Sequence, residues 1–165
     1  MEFLQRKSPR IQDYSYTTPN YYFITVCTAD KQCIFGDPGE LNAFGRIAEE
    51  HLLQIPRLNP DICIDKYVVM PNHIHGIFVV RSDKTGKGQD DIRVVIGQYK
   101  ASVTRRIREI APGKQVWQRS FHDHVIRNQK GYEKIWMYIE NNPLKWEEDC
   151  FYCTDSNGER FREGQ

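Results

Sequence analysis

The chain has 165 residues, 39% of them hydrophobic and 27% charged, which suits one well-packed domain and is short for two. No apolar run approaches the roughly 18 residues of a membrane span. The opening Met1-Glu-Phe-Leu-Gln-Arg-Lys7 lacks the apolar stretch and cleavage site of a signal peptide, so no membrane association and a cytoplasmic location are expected. The formal net charge of +1 identifies no partner by itself.

Residues 1–20, polar and rich in Pro, Ser and Thr, read as an irregular lead-in. Tyr21 to Thr28 is dense in β-branched and aromatic residues and predicts a strand. After the Gly36-Asp-Pro-Gly39 turn, Leu41, Phe44, Ile47, Ala48, Leu52 and Ile55 recur at helical spacing, ending at Pro56. Ile62–Met70 and His73–Val80 predict two more strands, separated by Pro71-Asn72. Arg81 to Asp90 is a polar connector. Asp91 then caps a helix whose apolar stripe is Ile92, Val95, Ile96, Tyr99, Val103, Ile107 and Ile110, stopped by Pro112-Gly113. Val116 to Arg127 reads as a strand and Gly131 to Asn142 as a last helix, closed by Pro143. The order β-α-β-β-α-β-α predicts an α+β fold of one domain: a ferredoxin-like antiparallel sheet with helices packed on one face. Residues 147–165 form an acidic tail.

The five cysteines are odd in number and irregularly spaced, which argues against a disulfide framework. Cys150 and Cys153 have the spacing of half a zinc site, but no second pair completes it, so reduced thiols are expected. Charge is unevenly spread. From Arg93 to Lys134 ten Lys and Arg stand against Glu109, Asp123 and Glu133, a local net of +7 in a chain of +1. Such a block is either a solvated helix face or a phosphate-binding surface. Lys100, Arg105, Arg106, Arg108, Arg119 and Arg127 are its candidate DNA contacts.

Two motifs carry chemistry. In Pro71-Asn-His-Ile-His-Gly76, strand alternation sends His73 and His75 to the same face, about 7 Å apart along the chain, where both can reach one divalent ion. A pair of structural histidines is the plainer alternative. On the last helix Tyr138 and Asn142 are one turn apart and share a face. A tyrosine oxygen can attack a phosphodiester and hold the product as an ester, although its ordinary pKa near 10 calls for a nearby cation or base. Read alone, beside Ile135 and Ile139, Tyr138 fits a core aromatic better than a nucleophile. Trp117, Trp136 and Trp146 are candidates for stacking on bases or for core packing.

These segments together resemble a known family. Tyr67 to Ile77, then Val116 to Asn128, then Tyr138-Ile-Glu-Asn-Asn-Pro143, with weaker likeness over Tyr21–Phe35 and Gly97–Thr104, are similar to the single-tyrosine HUH transposases. The branch most resembled is the one associated with bacterial repetitive extragenic palindromes (the IS200-like transposases). The likeness covers about residues 12 to 148 and implies the HUH nuclease arrangement of the sheet. It implies that His73, His75 and Asn142 hold Mg²⁺ or Mn²⁺, and that Tyr138 is the nucleophile. The implied reaction cleaves and rejoins single-stranded or hairpin DNA through a 5′-phosphotyrosine, without ATP. In more distant relatives the Asn142 position is glutamine. The second His-x-His, His122 and His124, has an acidic centre and reads as substrate contact or structure. Relatives of this kind act as a homodimer with swapped tyrosine helices or as a monomer.

Three rivals follow from the same residues. A histidine-triad hydrolase needs a third histidine where Ile77 stands, and an RNA-binding module needs an aromatic basic strand that is missing. A DNA-hairpin-binding protein that keeps the fold without transposition is the remaining alternative. The presence of all four implied active-site residues favours the enzyme.

Overall fold

The computed structural model describes residues 20–81 and 91–148. The lead-in before residue 20, most of the connector, and the tail beyond residue 148 with Cys150 and Cys153 lie outside the described residues. In chain order the elements are β1 (Asn20–Cys27), β2 (Gly36–Asp37), β3 (Glu40–Leu41), α1 (Ala43–Leu58), β4 (Ile62–Met70), β5 (His73–Val80), α2 (Ile92–Ile110), β6 (His122–Ile126) and α3 (Gln129–Asn141). Four of the strands make an antiparallel sheet in the order β4-β5-β1-β6, with β1 and β5 central. This is the ferredoxin-like arrangement expected of the element order, and the fold class is α+β.

Alternation along β1 divides the molecule. Tyr22, Ile24 and Val26 turn to one face, where they join Ile74, Phe78 and Val80 of β5 beneath α1 and α2. Helix α1 supplies Ile47, Ala48, Leu52 and Ile55, and α2 supplies Ile92, Val95, Ile96, Tyr99, Val103 and Ile107. The opposite face carries a smaller cluster of Ile77, Ile126 and Ile139, with Phe23, Val68, Ile135 and Trp136 packed on it. The expectation of helices on one face therefore holds for α1 and α2, while α3 covers the other face, over β4 and β5. A third helix has its own apolar stripe to bury, and the first face is already filled. Burial of Ile139, 1% exposed, contributes about 1.5–3 kcal/mol to holding α3 down.

Local boundaries differ from the sequence pattern where tertiary contacts intervene. Helix α1 runs through Pro56 to Leu58, because Asn59 N caps it on Ile55 O at 2.9 Å. At the end of α2, Ile110 is 54% exposed and leaves the apolar stripe. The expected strand from Val116 shortens to His122–Ile126, leaving a lone bridge between Thr28 and Trp117. Ser120 at φ 96° interrupts the extended backbone, and Lys100 Nζ holds the carbonyls of Gln118 and Ser120 at 2.7 and 2.8 Å. Asn128 starts α3 by accepting from Gly131 N at 2.7 Å, two residues earlier than the pattern indicates. Among the described residues no helix is long and apolar enough to cross a membrane.

Candidate active site

The site lies on the α3 face of the sheet, at the end where β4 turns into β5. Pro71 and Asn72 make that turn, and β5 opens with His73 and His75 on one face, 0% and 2% exposed. Their ring centroids are 4.4 Å apart. Each Nδ1 is engaged: His73 with Asn72 Oδ1 and His75 with Thr25 Oγ1, both at 2.8 Å. Burial, and then the repulsion that a protonated His73 would exert, hold the His75 imidazole far below its ordinary value, at about 2. His75 is therefore a neutral ring, the form that coordinates metals.

Helix α3 brings Tyr138 over this pair. Its ring stands edge-on to His75 at 5.2 Å and edge-on to Phe23 at 6.3 Å, and it is 41% exposed. Phe23 in turn lies 5.2 Å from the His75 ring. Trp146, just beyond the helix, reaches His73 at 5.9 Å. Asn142 caps α3 between Tyr138, near His75, and Trp146, near His73, and is 3% exposed. Among the described residues no third His, Cys, Asp or Glu completes a cluster with the pair. On the tyrosine helix, Asn142 is the amide one turn after Tyr138.

Tyr132, on the same helix, is placed differently. Its hydroxyl donates to Asp65 on β4, and that bond, with burial and the Asp65 charge, pushes its pKa up to about 12. It packs edge-on against Tyr21 at 5.6 Å, toward the start of β1 and away from the histidines.

β6 extends the same face. Thr25, the partner of His75, pairs on its other side with His122, and Phe23 pairs with His124. Both histidines are exposed on the strip of sheet beside α3. The opposite flank of α3 is closed by an ion pair between Lys66 and Glu140, with Lys66 Nζ 4.0 Å above the Trp136 ring. Tyr138 accordingly faces the open side.

The basic residues differ in their partners. Lys100 is tied to backbone carbonyls, and Arg106 is paired with Glu109. Arg105 and Arg108 line a cleft of about 600 Å³ with Lys100, Thr104, Trp117 and Gln118, Arg108 with its Nε donating to Lys114 O at 3.1 Å, while Arg119 and Arg127 are exposed near the two ends of β6. Trp117 is a packing residue, set between Phe35 and Tyr99 with Nε1 donating to Lys100 O at 3.1 Å. Trp136 packs in the α3 cluster. Thr25 and Asn72 were not legible as site residues. Thr25 becomes one only through the β1–β5 register, whereas the place of Asn72 directly before the first histidine was a usable signal.

No family model matches the chain. An uncharacterized protein of Haemophilus influenzae is 34% identical over 167 residues, covering 89% of this chain and 93% of that protein. The REP-associated tyrosine transposase of Escherichia coli K12 is 35% identical over 83 residues, which is 50% of this chain and 44% of that one. In structure, the chain resembles a REP-associated tyrosine transposase bound to a REP hairpin, with a TM-score of 0.58 and 22% identity over 83% of this chain and 73% of the other. It also resembles a candidate transposase from Deinococcus radiodurans, with a TM-score of 0.51 and 16% identity over 80% and 95% of the two chains. At these identities the structural likeness speaks for the fold. Sequence relationship and fold point the same way: the chain is similar to the REP-associated tyrosine transposases, in sequence over half of its length and in fold over most of it, which supports a transposase-like function.

Proposed function

We propose that the chain is a metal-dependent single-strand DNA endonuclease and strand transferase that works through a tyrosine–DNA ester. The observation that carries this reading is the position of Tyr138, half-exposed and 5.2 Å edge-on from the ring of a neutral, buried histidine.

The donor set fits a divalent ion. Both Nδ1 atoms are engaged, so His73 and His75 would coordinate through Nε2, and Asn142 would add an amide oxygen. Two imidazoles and an oxygen suit Mn²⁺, with Mg²⁺ as the harder, weaker-binding choice. An ion held there supplies Lewis-acid polarisation of a scissile phosphate. The Tyr138 oxygen gives up its proton and bonds to phosphorus, the bond from phosphorus to the 3′ oxygen breaks, and that oxygen takes up a proton. The products are a 5′-phosphotyrosine and a 3′-hydroxyl, and reversal with a different 3′-hydroxyl rejoins DNA without ATP.

The open side of α3 fits a single strand. Phe23 and Thr25 floor it, and His122 and His124 flank it on β6. A hairpin stem fits the outer cleft, where Arg105 and Arg108 meet phosphates, with Arg119 just beyond the cleft residue Gln118, while Arg127 at the other end of β6 is a separate contact. The solved relative bound to a REP hairpin supports hairpin DNA as the partner. Tyr138 reaches His75 of its own chain, so the proposed chemistry needs no second copy.

The deciding experiment incubates labelled hairpin DNA with the protein and Mn²⁺ and resolves the products on a denaturing gel. A covalent adduct that maps to Tyr138 is expected. Hairpin binding with no cleavage under any divalent metal would instead mean a binding protein that has lost the chemistry.

A further inference from the structure

We infer that Asn72 is a positioning residue that sets the tautomer of His73, so that Nε2, and not Nδ1, is the nitrogen presented for coordination. The inference rests on the metal reading above and deepens it.

The two ends of the Asn72 amide have different partners. Nδ2 donates to Lys31 O at 3.1 Å, and Oδ1 lies 2.8 Å from His73 Nδ1. A carbonyl oxygen only accepts, so the Lys31 contact identifies which end is nitrogen; the reversed amide would set oxygen against oxygen. The end facing His73 is therefore an acceptor as well, and His73 Nδ1 must carry the proton. A neutral imidazole has one N–H, so its Nε2 holds the lone pair.

The turn that holds this amide is tied down independently. Asn72 O accepts from Thr28 N at 3.0 Å and from Thr28 Oγ1 at 3.1 Å, and Pro71 O accepts from Phe35 N at 3.1 Å. Asn72 itself is 0% exposed. The acceptor is thus fixed in space before any ligand arrives, which is how an outer residue orients a coordinating histidine. His75 is held by other means. Its Nδ1 partner is the Thr25 hydroxyl, which can donate or accept and so dictates no tautomer. The two Nδ1 partners are thus unequal: the amide oxygen fixes a tautomer, the hydroxyl permits either.

The test uses the metal-free full chain labelled with ¹⁵N at histidine, in which long-range ¹H–¹⁵N correlations report which ring nitrogen is protonated. Wild type is expected to show His73 protonated at Nδ1; protonation at Nε2 overturns the inference outright. Asn72→Asp and Asn72→Ala both lose the Lys31 tether, but only aspartate keeps an acceptor for His73. Asn72→Asp should therefore keep the Nδ1–H signature, with Mn²⁺ affinity within a few-fold of wild type. Asn72→Ala should lose the single tautomer and bind Mn²⁺ about 10–100-fold more weakly in an EPR titration. Equal behaviour of the two variants would assign Asn72 to turn structure alone. If the aspartate variant does not fold, the wild-type spectrum still decides. Absence of DNA cleavage would count against the proposed function and leave the tautomer readout standing.

Discussion

Tyr138 and His75 meet ring to edge, with centroids 5.2 Å apart and planes at 61°, although one belongs to the last helix and the other to a central strand. Neither sits there by local propensity. β5 places His75 because alternation turns it away from the main core, and α3 places Tyr138 because Ile135 and Ile139 of the same helix pack on the sheet. The contact follows from two burial patterns that meet across one face of the sheet.

The first prediction separates two tyrosines on one helix. Tyr138→Phe removes one oxygen and almost no volume, so folding and hairpin binding should persist while the DNA adduct disappears. Tyr132→Phe loses the bond to Asp65 at the far end of the helix and should retain wild-type adduct formation. Denaturing electrophoresis of both variants decides; an adduct that survives Tyr138→Phe would refute the nucleophile assignment.

Metal dependence should be visible without DNA. Mn²⁺ at about a hundred times its Kd should stabilise the wild type by about 2.7 kcal/mol, read as a raised Tm. The His73→Ala, His75→Ala double variant should show no such rise. In the wild type, EDTA should stop cleavage and added Mn²⁺ should restore it; undiminished cutting in EDTA would remove the metal from the mechanism.

The basic residues should not behave as one block. Replacing Arg105 and Arg108 together by alanine should weaken hairpin binding and reduce the slope of log affinity against log salt by about 2, near 0.9 per lost duplex phosphate contact. Arg106→Ala, which removes an ion pair with Glu109, should leave that slope nearly unchanged. Filter binding from 50 to 300 mM salt checks both, and equal slopes for the three proteins would disqualify the cleft.

Ile139→Ala should cost about 2–5 kcal/mol, because a buried side chain on the thinner side of the sheet leaves a cavity that few neighbours can fill. Since that cluster seats the tyrosine helix, adduct formation should fall more than hairpin binding does. Urea denaturation gives the first quantity and the gel assay the second; equal losses would show that α3 is not seated through Ile139.

The chain pattern alone determined a good deal here. Apolar residues recurring every three to four positions marked α1 and α2, a density of β-branched and aromatic residues marked β1, and the order of elements implied a ferredoxin-like sheet, because these are local properties of the chain. The shared face of His73 and His75, and that of Tyr138 and Asn142, were legible for the same reason. What only tertiary structure decided were relations between elements. The stripe of α3 was readable, but the sheet face it covers was settled by α1 and α2 filling the other. Ser120 and the Lys100 clamp shortened β6, although the residues from Val116 onward have strand character. Lys100 and Arg106 read as phosphate contacts alongside Arg105, and only their partners in the fold set them apart. Thr25 gained its place beside His75, and His122 its place in the same row, through strand register, which long-range pairing fixes and no local spacing encodes.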